Sequence, residues 1–128
     1  MCLSGDIVEQ DDEKQGIIDE AIAAYKKAVP VIRDGKSHRV GTPISSYTIP
    51  GGWQALIREG KKTDETMIVF HAFDREVPAS VEFDLPAGRY EILWDFKPKD
   101  VSCAVEDGTF RISGITEHMG CVVMLKSQ

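Results

Sequence analysis

Four side chains of types that bind metal ions stand near the ends of two apolar runs. His71 and Asp74 close one run, and Glu117 and His118 precede another. Zinc sites are built from ligands at short, fixed spacings, because a turn or hairpin then holds two of them toward one ion. No such spacing links the two pairs, so the sequence predicts no metal site, and nothing in it requires a cofactor.

The three cysteines, Cys2, Cys103 and Cys121, show neither a metal-type spacing nor the even count of a disulfide framework. They are expected to be reduced thiols in the cytosol. A nucleophilic cysteine needs a nearby base and an electropositive setting. Cys103 and Cys121 lie instead in alternating apolar segments, which predicts buried and unreactive thiols.

Three aromatic residues, Trp53, Tyr90 and Trp94, raise the possibility of carbohydrate binding, because sugars stack their flat C–H faces on exposed rings. Tyr90, Ile92, Trp94 and Phe96 alternate along one segment, however, and are expected on one strand face as part of a core. Trp53 follows two glycines at the start of another strand and is the better candidate for partial exposure. Trp53 is therefore the possible sugar contact, with ordinary packing the favoured interpretation.

One amphipathic helix is predicted before residue 41. Apolar residues recur there in steps of four and three, and acidic first turns and a basic last turn complement the helix dipole. Pro30 is expected to bend or end the helix just before it, and Asp34-Gly35 supplies a terminator. The predicted apolar stripe comprises Ile18, Ile22, Tyr25, Val29 and Ile32, widened by Ile17, Ala21 and Ala28.

After residue 41 the apolar period changes from 3.6 to 2, which indicates strands. The clearest is the segment in which Val81, Phe83 and Leu85 alternate with polar residues. The fold class predicted is mainly β: an antiparallel β-sandwich of about seven to eight strands, preceded by one long amphipathic N-terminal helix. The expected strands are 53–58, 66–73, 80–85, 89–96, 102–105, 109–113 and 120–126, with Glu106-Asp107-Gly108 as a hairpin turn.

The composition is that of an ordinary globular domain. The 128 residues are 42% hydrophobic and 28% charged, which suits one domain with its own core. The 15 basic against 21 acidic residues, a net charge of −6, disfavour a nucleic-acid partner, which requires clustered Lys and Arg. The apolar runs fall far short of the ~20 residues that span a bilayer, and the first residues lack an export signal. A cytoplasmic protein without a membrane partner is expected.

The first residues fit neither the helix nor the sandwich. The segment 2–7 has the pattern of a buried strand directly before a long helix, a βα unit that normally requires parallel neighbours. This arrangement resembles the C-terminal part of alpha-galactosidases (melibiases) and related retaining glycoside hydrolases, in which a (β/α)8 barrel is followed by an antiparallel β-sandwich. The matching segments are Leu3-Ser4-Gly5-Asp6-Ile7, the helix from Asp11 to Ile32, Ser45-Ser46-Tyr47, Gly52-Trp53-Gln54-Ala55 and Val69-Phe70-His71-Ala72-Phe73.

The resemblance implies that residues 1–40 are the last barrel strand and helix and that residues 41–128 are the C-terminal β-sandwich. Retaining hydrolysis needs two carboxyl groups about 5–5.5 Å apart, and in the family these lie on earlier barrel strands that no part of this chain matches. The chain alone is therefore expected to be inactive, without catalytic residues, and to brace the catalytic barrel of a parent enzyme. Asp6 would lie on the barrel face where active sites form and is the one substrate-proximal candidate, with helix capping the plainer interpretation.

In a parent enzyme the barrel would cover the helix stripe. Without the barrel, the helix can fold back onto its own sandwich, or it can pair through residues 17–32 with the same face of a second copy. Pairing is the favoured outcome, since a twofold axis would bury identical stripes against each other. The alternative function, from a different class, is a free-standing carbohydrate-binding or protein-interaction sandwich. Exposed coplanar aromatic side chains would favour that alternative. A helix stripe without a partner would favour part of a larger enzyme.

Overall fold

The computed structural model describes residues 11–43 and 48–128 as one helix followed by eight strands in two antiparallel sheets. The predicted fold class, a mainly β sandwich after a long N-terminal helix, is confirmed. The elements are α1 (Asp12–Asp34), β1 (Lys36–Gly41), β2 (Trp53–Glu59), β3 (Glu65–Ala72), β4 (Ser80–Asp84), β5 (Tyr90–Phe96), β6 (Ser102–Glu106), β7 (Thr109–Ser113) and β8 (Gly120–Ser127).

The two sheets enclose the main core. One sheet has five strands in the order β1-β2-β3-β8-β5, and the other has three in the order β4-β7-β6. Alternate residues of each strand point between the sheets, as the period of two requires. The largest side chains buried there are Phe70, Phe110, Ile57, Ile68, Ile112 and Leu125. Val81, Phe83 and Leu85 are buried in the same core, as predicted.

The helix forms a third layer on the outer face of the five-stranded sheet. Ala28 and Val31 of α1 are buried against Met67 of β3 and Met124 of β8. Because both faces of the sheet are covered here, β3 and β8 bury consecutive residues instead of alternate ones. The helix is thus part of the same folded unit as the sandwich.

Both ends of α1 are capped, by Asp11 at the start and by the predicted terminator Gly35 at the end. The side chain of Asp11 accepts a hydrogen bond of 2.8 Å from the backbone N–H of Lys14, which satisfies one free donor of the first turn. At the other end Gly35 donates its N–H to the Val31 carbonyl at 2.9 Å. A Cβ at Gly35 would lie 2.5 Å from that oxygen and 2.8 Å from the carbonyl oxygen of Glu59. Any other residue at this position would bring its Cβ into collision with the backbone, so the close approach of α1 to β2 requires glycine.

Pro30 does not end the helix, so of the two predicted effects, a bend or an end, the second is wrong. The helix runs through Pro30 to Asp34, although proline lacks the N–H that an interior helical position donates. The last turn is held from outside: Val31 is fully buried, and the Arg58 side chain donates hydrogen bonds to the carbonyls of Val31 and Ile32. These contacts hold the last turn beyond the proline in place.

The first strand was not predicted. β1 pairs with β2 along its whole length, from Lys36 opposite Glu59 to Gly41 opposite Gln54. All but one of its residues are exposed, because it is an edge strand with no layer over it, and so it lacks the apolar alternation that identifies a strand. The sheet therefore begins at Lys36, before the change of pattern near residue 41.

A β-bulge interrupts the pairing of β5 with β8. Ile92 lies opposite Leu125 and Trp94 lies opposite Met124, so Leu93 is an extra residue in the ladder. Its side chain is 41% exposed. An extra residue reverses the facing of every side chain beyond it.

The bulge corrects the expectation that four residues of β5 share one face. Tyr90 and Ile92 pack against the core between the sheets. Trp94 packs instead with the helix, where the Lys27 ammonium lies 6.0 Å from the centre of its ring. Phe96 borders the space between the helix and the sheet. Trp94 and Phe96 therefore help to dock α1 and do not fill the sandwich.

Candidate functional site

A row of apolar residues on α1 faces away from the helix–sheet contact. Ile18, Ile22, Tyr25 and Val29 follow one another at steps of four, three and four. At 100° per residue the centre of this row lies about 120° around the helix from the direction of the buried Ala28 and Val31. We call these four residues the outer row. The sheet covers one flank of the apolar stripe, and the outer row lies on the other flank.

The outer row is only partly covered in the chain by itself. Within the row, Tyr25 is 36% exposed. Ile18, Ile22 and Val29 are half-buried, whereas Ala28 and Val31 are almost fully buried. Exposed apolar side chains that line up along one face of a helix are typical of an interaction surface. The sequence predicted an amphipathic helix. The sheet, however, buries Val31, which is not a member of the predicted stripe, and leaves the centre of that stripe only partly covered.

A groove lies beside the outer row, between α1 and the sheet. Its volume is about 210 Å³. Three alanines of α1 line its helical side. Tyr25 belongs to the outer row and also lines the groove. The lining consists of Ala21, Ala24, Tyr25, Ala28, Ile32, Met67, Val69, Phe96 and Val122.

Two loops bring together three of the four metal-type residues. The ligand atoms of Asp74, Glu117 and His118 all lie within 4.8 Å of one another, and His118 Nε2 is 3.9 Å from Asp74 Oδ1. The loops are joined by backbone hydrogen bonds, among them one of 3.1 Å from the His118 N–H to the Phe73 carbonyl. His71, on β3, is exposed but is not a member of this group.

The arrangement of this trio does not by itself identify a metal centre. Asp74 is half-buried, and Glu117 and His118 are exposed. Acidic groups at a surface come close to one another without binding an ion, and no second structural feature points to a ligand here. The absence of a metal site stays a prediction from the sequence.

The two cysteines of the sandwich come into contact. Cys121 is buried in the core, as predicted, whereas Cys103 is only half-buried. The two thiols lie close enough together for hydrogen bonding between them to lower the pKa of Cys103 and to raise the pKa of Cys121. Nothing in their separation along the chain indicates this contact, because it depends on how the two sheets face each other. Cys2 lies outside the described residues.

The aromatic residues considered for sugar binding are packed within the structure. Trp53 is half-buried, and its ring centre lies 5.7 Å from that of Phe70 and 5.9 Å from that of Phe83 in stacked arrangements. In the described part of the sandwich every aromatic side chain is at least half-buried, so these strands present no row of exposed rings. Sugar binding by Trp53 stays a prediction.

Several predicted features fall outside the described residues. Asp6, the substrate-proximal candidate, and the strand that contains it lie there, as do the residues of the Ser45-Ser46-Tyr47 segment. The structure therefore tests neither the site residue nor these parts of the resemblance.

Within residues 11–43 and 48–128, no helix combines the length and the apolar character needed to cross a membrane. Comparisons of the chain with protein-family models, with curated proteins and with solved structures gave no match.

Proposed function

We propose that this chain is the non-catalytic C-terminal part of an alpha-galactosidase-like glycoside hydrolase and that it braces the catalytic barrel. The observation that carries this proposal is the outer row of α1. The helix uses one flank of its apolar stripe to dock on the sandwich and keeps the other flank, with Ile22 and Tyr25 at its middle, available for a second body.

The two flanks would suit a helix that lies between a barrel and a sandwich. The resemblance implies that α1 is the last barrel helix, which would then contact the barrel on one flank and the sandwich on the other. Complete burial of an aliphatic side chain contributes about 1.5–3 kcal/mol relative to its exposure. Covering the remaining surface of Ile18, Ile22 and Val29 would therefore stabilise the union of the two bodies. Bracing in this sense means holding the last barrel helix in place through contacts on both of its flanks.

The proposal assigns no catalytic group to this chain. The nucleophile and the acid/base would come from earlier barrel strands, as the resemblance implies, and Asp6 would be the only residue here near a bound sugar. The enzyme would act on carbohydrate in the cytoplasm, a reducing compartment in which the free thiols of Cys103 and Cys121 would persist.

The alternative, a free-standing carbohydrate-binding or protein-interaction sandwich, lacks the feature that would favour it. Flat sugar platforms need exposed and roughly coplanar rings, and the aromatic side chains of the described strands are packed into the cores. Saturable binding of a galactoside to the isolated chain, measured by titration calorimetry and removed by Trp53→Ala, would support this alternative.

The DNA upstream of the Met1 codon provides the first test. We expect the reading frame to continue upstream with alternating strands and helices that include two carboxylates at strand ends. The protein expressed from that longer frame should hydrolyse p-nitrophenyl α-galactoside. In-frame stop codons directly upstream, or a long product that acts on no glycoside, would contradict the proposal.

A matched pair of substitutions tests the bracing itself. Ile22→Asp places a charge in the outer row, whereas Ala23→Asp places the same charge one residue further on, at an exposed position. In the long protein we expect Ile22→Asp to lower the melting temperature and the activity. Ala23→Asp should leave both close to those of the unaltered protein. Equal effects of the two substitutions would show that the outer row has no partner.

A further inference from the structure

The two sandwich cysteines project inward from opposite sheets. Cys103 on β6 lies opposite Ile112 on β7, and Cys121 on β8 lies opposite Phe70 on β3. Residues directly opposite each other in an antiparallel pair point to the same side of the sheet. Ile112 and Phe70 are fully buried in the core between the sheets, so both cysteines point into that core.

The thiols meet there, and one of them is accessible from outside. The hydrogen bonding between them lowers the pKa of Cys103. Nearby Asp95 raises this pKa, and Lys97 lowers it. The same hydrogen bonding, together with burial, raises the pKa of Cys121. Cys103 lies on β6, an edge strand of the smaller sheet, and is half-buried, whereas Cys121 is almost completely buried. A reagent in solution therefore reaches Cys103 first.

We propose that Cys103 and Cys121 form a reversible disulfide that links the two sheets when the chain meets a small disulfide oxidant of the glutathione type. The inference rests on the placement of the two thiols and is independent of the proposed function.

The reaction proceeds by two thiol–disulfide exchanges. The Cys103 thiolate attacks one sulfur of oxidised glutathione, the glutathione S–S bond breaks, and one glutathione thiolate leaves. Cys121 then loses its proton and attacks the Cys103 sulfur of the mixed disulfide, which releases the second glutathione thiolate. The two protein thiols are oxidised by two electrons, and the oxidant is reduced to two molecules of glutathione.

The buried Cys121 becomes easier to ionise after the first exchange. In the free protein the negative charge of Cys103 opposes a second charge beside it. The Cys103 sulfur carries no charge in the mixed disulfide, so this part of the barrier disappears. Cys103 thus acts as the attacking thiol and Cys121 as the resolving thiol.

The test treats the native chain with oxidised glutathione, quenches it with acid and digests it with trypsin without reduction. Cleavage after Lys99, Arg111 and Lys126 separates the two cysteines onto the peptides 100–111 and 112–126. We expect these peptides to be joined and to be two hydrogens lighter than their sum. Reactive thiols should fall from three to one, because Cys2 remains. The melting temperature should rise by about 5 °C or more, since a cross-link constrains the unfolded chain, and dithiothreitol should reverse the rise.

Three variants make the result specific. Cys121→Ser should retain glutathione on Cys103, because the resolving thiol is gone. Cys103→Ser should show no change in melting temperature on oxidation. Cys2→Ser should form the same cross-link and end with no reactive thiol. A stable glutathione adduct on Cys103 in the native chain, a cross-link through Cys2, or unreacted thiols in the folded protein would each overturn the inference.

Discussion

Arg58 links the helix to the sandwich through all parts of its guanidinium group. Its Nε donates to the Val31 carbonyl at 2.9 Å, Nη2 donates to the Ile32 carbonyl, and Nη1 donates to Ser37 Oγ at 2.7 Å. The last carbonyls of a helix have no partner within it and carry partial negative charge. A planar cation with several fixed donors satisfies two of them at once, which a lysine cannot do.

We therefore expect Arg58→Ala to lower the free energy of unfolding by about 2–3 kcal/mol, as for hydrogen bonds that involve a charged group. Arg58→Lys should recover only part of that loss. Arg39→Ala, an exposed arginine on the neighbouring edge strand, should change the stability by less than about 0.5 kcal/mol. Urea denaturation gives the values, and faster hydrogen exchange in the last turns of α1 would locate the effect. A loss as small as that of Arg39→Ala would show that Arg58 does not hold the helix.

Phe83 represents the residues whose position the sequence did predict. It is 8% exposed, and its ring contacts those of Trp53 and Phe110. Phe83→Ala should cost about 3–5 kcal/mol, the usual range for a buried phenylalanine. Glu82→Ala, on the exposed side of the same strand, should cost about 1 kcal/mol or less, because it removes only a surface ion pair with Arg111. Similar losses in the two variants would mean that the strand faces the other way.

Other residue contacts could not be predicted from the sequence. The alternation of apolar and polar residues around Phe83 is a local pattern, and the side chains are buried as it predicts. The meeting of Asp74 with His118, and of Cys103 with Cys121, depends on which loops and which sheets face each other. That information lies in the packing of distant segments, and no spacing along the chain encodes it.

At the scale of elements, prediction succeeded where one face of a segment is buried. The strands β4, β6 and β7 follow their apolar alternation, and the turn between β6 and β7 has positive φ at Asp107 and Gly108, as a two-residue Asp-Gly hairpin requires. Prediction failed for β1, whose residues are nearly all exposed. It placed the terminator of α1 correctly at Asp34-Gly35, but it left open that Pro30 would end the helix earlier. It also missed the bulge in β5, because an extra residue leaves no mark in a run as uniformly apolar as Ile92-Leu93-Trp94.

The bulge makes a distinct prediction about β5. Deletion of Leu93 would leave Ile92 opposite Leu125 and Trp94 opposite Met124, as they are now. The shortened strand should keep Trp94 on the helix side and lose about 1–2 kcal/mol or less, since Leu93 has no partner in the ladder and is only partly buried. Leu93→Asp should cost no more than the deletion. Urea denaturation followed by tryptophan fluorescence tests both, and an exposed Trp94 in the folded deletion variant would contradict this account.

At the scale of the whole molecule, the first prediction concerns activity. The isolated chain should not hydrolyse p-nitrophenyl α-galactoside, because the two carboxylates of a retaining site are expected on a barrel that it lacks. A chromogenic assay at high protein concentration measures this. Activity that survives repurification and is abolished by Asp74→Asn, at the carboxylate that meets Glu117 in the loop cluster, would contradict the expectation.

The second prediction for the whole molecule concerns what covers the outer row when no barrel is present. We expect the isolated chain to pair with a second copy through this row, since a twofold axis brings identical apolar strips together without any other partner. From Ile18 to Val29 the row is about 17 Å long, at 1.5 Å per residue. A strip of this length that is one helix face wide buries much less surface than the roughly 800 Å² per partner of a typical stable interface. The dimer should therefore be weak and should dissociate on dilution.

Light scattering over a dilution series tests the pairing. The unaltered chain should move from dimer to monomer as it is diluted, Ile22→Asp should be monomeric throughout, and Ala23→Asp should behave like the unaltered chain. The docking of α1 should survive in all three, because Ala28 and Val31 hold it from the other flank. Hydrogen exchange in the last turns of α1 reports that docking separately from association. An unaltered chain that is monomeric at every concentration, with those turns protected, would show that contact with the sheet alone is enough for the helix.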